Sequence, residues 1–233
     1  MRRDQSLLEV FQSYTNWEDV DLTKLWENTQ DTLYMTFASL VAVFIIGLVL
    51  GLLLYETSRR NGGFAKIVYY ITTFLVNVFR SIPFIILIVL MIPFTRALLG
   101  TMTGPTAGLP ALILSAAPFY ARLVESGFRD VDKGVVEAAE AMGASKLQII
   151  GKVLIPESLP SLVAGITVTA ISLVGFSAIA GIIGAGGLGN MAYLDGFQRG
   201  RNTVVLVATI TIVFIVFILQ AIGDIAVKRI DKR

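Results

Sequence analysis

From Leu33 to Leu54 the chain runs twenty-two residues without a charged side chain, and comparable apolar stretches recur to its C-terminal end. A helix that crosses a bilayer needs roughly 20 apolar residues at a rise of about 1.5 Å each. Further stretches cover about Phe74–Phe94, Ala107–Val124, Leu162–Ile183 and Thr203–Val227. Hydrophobic residues make up 55% of the 233 positions and charged ones 15%, with a mean hydropathy of +0.75. A water-soluble domain carries about a quarter charged residues. Here the charges collect between the apolar stretches, as a hydrocarbon layer requires. The pattern predicts an all-α polytopic membrane protein with five spans. Phe64–Thr73 is expected near the membrane surface, where the second span enters.

Lysine and arginine placement orients the chain. With the N-terminus outside, the inner segments hold Arg59, Arg60, Lys66, Arg122, Arg129, Lys133, Lys146, Lys152, Lys228, Arg229, Lys232 and Arg233. The outer segments hold Arg2, Arg3, Lys24, Arg96, Arg199 and Arg201. This twofold bias predicts an outside N-terminus and a cytoplasmic C-terminus. Glu18, Asp19, Asp21, Lys24, Glu27 and Asp31 interrupt any earlier crossing, though that segment suits a surface helix. Nothing in the first 31 residues reads as a cleaved signal peptide.

The chain has no cysteine and no histidine, which excludes disulfides, Cys/His metal sites, thiol nucleophiles and a histidine base. No paired carboxylates stand at membrane depth, so catalytic residues are expected to be absent. The net charge of +2 makes no case for nucleic acid. Gly184–Gly189 spells G-x-G-x-x-G, but the twentieth residue beyond it is Thr209, inside an apolar run, rather than the acid a dinucleotide site needs. A turn at the outer end of span four is the expectation. The phosphate loop G-x-x-x-x-G-K-[ST] is absent.

The polar stretch Glu125–Glu157 carries the most information. Within it, Val135, Ala138, Ala139 and Met142 follow helical spacing and share one expected face. Glu137 is expected in the first turn, favoured by the helix dipole. Gly143 suits a left-handed stop. Ser145 and Gln148 suit a capping box that opens a second helix, and Pro156 is expected to close the segment. Two short helices meeting at a glycine corner follow. On pattern alone, a docking element and an amphipathic loop on the lipid surface stand equal.

Glu137-Ala138-Ala139, Gly143 and Val153-Leu154-Ile155-Pro156, at these spacings, resemble the EAA loop of binding-protein-dependent ABC importer permeases, with Val153 and Ile155 as mild departures. In that family the loop is a coupling helix docked on a separate ATPase. The resemblance implies that Glu137, Ala138, Ala139, Met142, Gly143 and Pro156 make the coupling contacts. Arg80–Leu87, Met91–Arg96, Ala116–Arg122 and Gly184–Gly189 are further similar to the methionine-uptake permeases of that family, from about Thr29 onward. This implies a type I ABC importer permease fold over residues 29–220, an extracytoplasmic segment 1–28 and a cytoplasmic end 221–233, with the coupling loop at about 132–157. It implies a bacterial plasma-membrane homodimer with two ATPase subunits and an extracytoplasmic substrate-binding lipoprotein. ATP would be bound by the ATPase, with no cofactor or metal in this chain. A permease for another amino acid or small solute, and a passive channel using the glycines near Gly186, are the alternatives.

Residues within the spans have two readings each. Arg80 either lines a pathway or dimer interface, or sits at a water-accessible kink before Pro83. Thr169, Ser172, Phe176 and Ser177, beside Gly165, either line the pathway or permit close helix packing. Asp224 and Lys228, spaced i and i+4, are expected to pair.

Overall fold

In a computed structural model, residues 12–60 and 62–231 are described; Arg2, Arg3, Lys232 and Arg233 of the orientation argument lie outside them. Among the described residues the protein is all helix, with no strand. A short 3-10 turn at Trp17–Asp19 precedes α1, Leu22–Arg59. The carboxylate of Asp21 accepts the Thr23 and Lys24 amides at 2.9 and 3.2 Å, which satisfies N–H groups at the helix start. The helix therefore begins well before the apolar run at Leu33.

The second predicted span is two helices, α2 (Gly63–Ser81) and α3 (Phe84–Leu99). Ile82 is extended at φ −80°, ψ 121°, because the ring of Pro83 disfavours helical backbone in the residue before it. The kink before Pro83 is thus a break between two helices. Pro105 opens α4 (Pro105–Arg129) at a position where a missing N–H costs nothing. This helix extends past Val124, so Glu125 is helical rather than part of the loop. Then follow α5 (Lys133–Ala141), the long α6 (Lys146–Ala185), α7 (Gly187–Asn190) and α8 (Asn202–Ile230).

Pro156 does not close the loop, because α6 runs through it. Residues Ile150–Leu154 widen into a π turn in which the Ile155 N–H bonds the Ile150 carbonyl. That widening falls just ahead of the proline, which has no N–H to continue the ladder. Asp224 takes its hydrogen bond from Gln220 at 2.7 Å rather than pairing with Lys228.

Among the described residues, α1, α4, α6 and α8 are each long and apolar enough to cross a membrane; α2 and α3 make a fifth span when taken together. The chain forms two compact units. One is built from the segments up to Ser39, Phe84–Leu112 and Ser172–Ile218; the other from Leu40–Pro83, Ile113–Ile171 and Leu219 onward.

In the second unit Gly47 and Gly51, four apart on α1, let α4 approach closely. A Cβ on Gly47 would lie 2.6 Å from Tyr120 Cδ1, and one on Gly51 2.5 Å from Val124 Cβ. Without a hydrophobic drive between helices in lipid, such small residues supply the packing. The Tyr55 and Phe128 rings meet at 5.6 Å along the same seam.

In the first unit the predicted turn at Gly184–Gly189 is a tight corner. Gly184, Gly186 and Gly187 have φ of +105°, +83° and +78°, a region that L side chains rarely enter. The Leu188 N–H donates to Thr32 Oγ1 at 2.8 Å, and the Gly104 N–H to the Gly184 carbonyl at 2.9 Å. A Cβ on Gly186 would lie 2.9 Å from Asp31 Oδ2. The glycines thus admit α1, at Asp31 and Thr32, to the turn.

Candidate functional site

The site is the corner between α5 and α6, held by local hydrogen bonds. Asp132 caps α5, its Oδ1 accepting the Gly134 N–H at 2.6 Å. Glu137 lies one turn beyond the helix start and is exposed, so Asp132, not Glu137, meets the helix dipole. At the other end the Gly143 N–H bonds the Glu140 carbonyl at 3.0 Å and the Ala144 N–H the Ala139 carbonyl at 3.1 Å. This is the Schellman pairing, with Gly143 left-handed at φ +78°. The Ser145 N–H donates to Gln148 Oε1 at 2.8 Å and starts α6. Helix stop, corner and helix start thus occupy Met142 to Ser145.

Burial divides α5 differently from its predicted face. Ala139 is 6% exposed and pairs inward with Val136, while Val135, Ala138 and Met142 point outward. The inward choice lies with Val136, which occupies the position three residues before Ala139 and was not on the predicted face. Met142 and Leu147, either side of Gly143, are each 82% exposed. Glu137, Gly143 and Pro156 are also exposed, and a Cβ built on Gly143 meets nothing within 4 Å. The corner presents an open apolar surface on a backbone whose N–H groups from Met142 to Ser145 all have partners. Behind it lies a cavity of about 290 Å³ lined by Glu56, Arg59, Arg60, Glu140 and Lys146 over Val136, Ile149 and Leu154.

A polar network ties the end of α4 to α2. Glu125, its side chain 5% exposed, accepts from Arg122 at 2.6 Å and from Arg129 at 2.8 Å. Arg122 also donates to Asn77 Oδ1 of α2 at 3.0 Å. This network is the functional feature that sequence reasoning missed. Its signal was present as Arg122, Glu125 and Arg129 at i, i+3 and i+7, a spacing that puts all three on one helical face.

The predicted pathway residues separate. Thr169 and Ser177 are buried, their hydroxyls donating to the Gly165 and Val174 carbonyls of their own helix at 2.8 Å each. Phe176 is half-buried and stacks on Phe84 at 4.8 Å, 19° from parallel. Ser172 is half-buried. Arg80 is exposed in the last turn of α2, next to the break at Ile82. Among the described residues no three Asp or Glu side chains cluster to hold a metal ion.

Long apolar helices, joined on one side by an exposed glycine corner, define a multi-pass membrane protein. Residues 47–233 match the family described as "Binding-protein-dependent transport system inner membrane component", and the chain belongs to that family. It is the membrane component of a transport system rather than an enzyme. It is 56% identical over 224 residues to the "Methionine import system permease protein MetP" of Bacillus subtilis, covering 96% of this chain and 100% of that one. It is 41% identical to the "Probable D-methionine transport system permease protein MetI" of Pasteurella multocida, covering 90% and 99%. A solved structure, "Inward facing conformations of the MetNI methionine ABC transporter", superposes with a TM-score of 0.87 at 44% identity, covering 91% of this chain and 98% of that one. The type I importer permease fold expected from the EAA loop is the fold found.

Proposed function

We propose that this chain is the permease of an ATP-driven methionine importer in a bacterial plasma membrane, with its N-terminus outside and its C-terminus cytoplasmic. The observation that carries the reading is the corner at Gly143: a left-handed turn whose N–H groups are hydrogen-bonded, with Met142 and Leu147 exposed on either side. Such a turn can transmit force without melting, because its N–H groups are already paired. The similarity to permeases named for methionine supports the substrate.

In this reading two copies of the chain enclose the pathway, and an extracytoplasmic lipoprotein delivers methionine. Two separate ATPase subunits bind ATP and hold the corners. Glu137, Ala138, Met142 and Gly143 meet the ATPase; Ala139 and Pro156 shape the corner and its exit. Residues 29–220 form the permease domain, flanked by an extracytoplasmic segment 1–28 and a cytoplasmic end 221–233. ATP binding draws the corners together, and α4 and α6, which flank the loop, carry the movement into the membrane. Ser172 and Phe176 are the pathway positions, with Arg80 near the inner entrance.

The test is uptake of labelled methionine into proteoliposomes holding this chain, its ATPase and its binding protein. Uptake requiring all three, competed by methionine alone among the amino acids, is expected. Equal competition by an unrelated amino acid would overturn the substrate. Uptake without the ATPase would overturn the ATP-driven reading in favour of a passive channel.

A further inference from the structure

We propose that α2 lies in the plane of the membrane surface on the side that carries the α5–α6 corner, embedded in the lipid of that leaflet, and that α3 alone makes the second crossing.

The faces of α2 carry the argument. Phe64, Ile67, Ile71, Phe74, Leu75 and Val78 form an exposed apolar side along the whole helix. Thr72 and Val76 are buried against the protein. A third side holds Lys66, Tyr69, Asn77 and Arg80, which fall within about 80° of one another at 100° per residue. A crossing helix would carry this polar side, with a charge toward each end, through hydrocarbon, at a cost that confines such residues to interiors and water. A helix lying along the interface keeps one side in acyl chains, one on the protein and one at the headgroups. Basic residues there, with Arg59 and Arg60 just upstream, complement anionic headgroups.

Packing agrees. The whole of α2 belongs to the unit that holds the corner. The hydrogen bond that Asn77 of α2 accepts from Arg122 lies in that unit too. The crossing does not need α2. Sixteen helical residues of α3 span about 24 Å, and the extended, apolar Ile82-Pro83 adds about 6–7 Å, against a hydrocarbon core of about 30 Å. Five crossings remain, by α1, α3, α4, α6 and α8.

The chain has no cysteine, so single-cysteine variants at consecutive positions from 64 to 80 can be spin-labelled directly in proteoliposomes. The ratio of collisions with oxygen and with a water-soluble nickel chelate reports depth. Depth is expected to oscillate with the helical period about a constant mean, with labels at Phe64 and Val78 equally deep. A steady drift of about 1.5 Å per residue, roughly 21 Å between those two, would mean that α2 crosses, and the proposal fails. Labels at Phe74 and Leu75 shielded from oxygen, and coupled to their counterparts in a second copy, would replace lipid by protein and overturn it equally. Variants at the exposed positions leave the packing in place, and a lipid-facing Trp read by brominated-lipid quenching at the same sites gives an independent depth. Neither measurement depends on methionine transport, so failure here leaves the importer reading untouched.

Discussion

Two alanine substitutions eight residues apart are expected to act in opposite directions. Gly143 is left-handed at φ +78°, while Gly151 lies in the π turn of α6 with no such backbone requirement. At both positions a Cβ meets nothing within 4 Å, so steric contact contributes to neither effect. What remains is conformational. Forcing an L side chain into the left-handed region costs about 1–2 kcal/mol. Replacing a helical glycine by alanine stabilises by about 0.5–1 kcal/mol. In hydrogen exchange read by mass spectrometry, the α5–α6 peptides of Gly143→Ala should open about 5–30-fold more often, since about 1.4 kcal/mol is a factor of ten. Those of Gly151→Ala should open about 2–5-fold less often. Gly143→Asn, a residue that tolerates this region, should fall between Gly143→Ala and the native protein. Protection unchanged in Gly143→Ala, or lowered alike in both alanine variants, would refute the claim that a left-handed turn holds the corner.

Other perturbations follow from the same geometry. Met142→Ala removes a side chain that is 82% exposed, so the thermal midpoint should hold within about 0.5 kcal/mol while ATP-driven uptake falls. Glu125→Ala leaves two arginines without their shared buried acceptor. Because Arg129 is half exposed, the loss should be about 1–3 kcal/mol in detergent unfolding, with Glu125→Gln milder. Gly51→Val drives a side chain into Val124 and the Ala121 carbonyl, and should destabilise by about 1–3 kcal/mol or more, measured the same way. Gly189→Ala would place a Cβ on the Ala178 carbonyl and should abolish monodisperse protein in size exclusion, whereas Gly175→Ala, with open space around it, should not.

The α5–α6 corner was legible because its determinants are local. Gly143 chooses the left-handed stop, and Ser145 with Gln148 opens the next helix within a few residues, so spacing alone predicts the turn. The dipole partner was misplaced onto Glu137 because the start of α5 at Lys133 depends on Asp132, a cap that a later starting point hides. Pro156 misled for a related reason: a proline signals a missing hydrogen bond, and a π turn upstream can absorb it without ending the helix.

The chain's own residues determined that it enters a membrane and where most of its helices lie, because burying an uncharged run in hydrocarbon is favourable whatever its neighbours are. Tertiary structure decided which neighbours meet. It turned Ala139 inward and Ala138 outward, fitted Gly47 and Gly51 against Tyr120 and Val124, and joined Glu125 to Arg122 and Arg129. Periodicity names the faces of a helix; which face is covered depends on residues far away in the chain, and their approach is visible only once the backbone is placed.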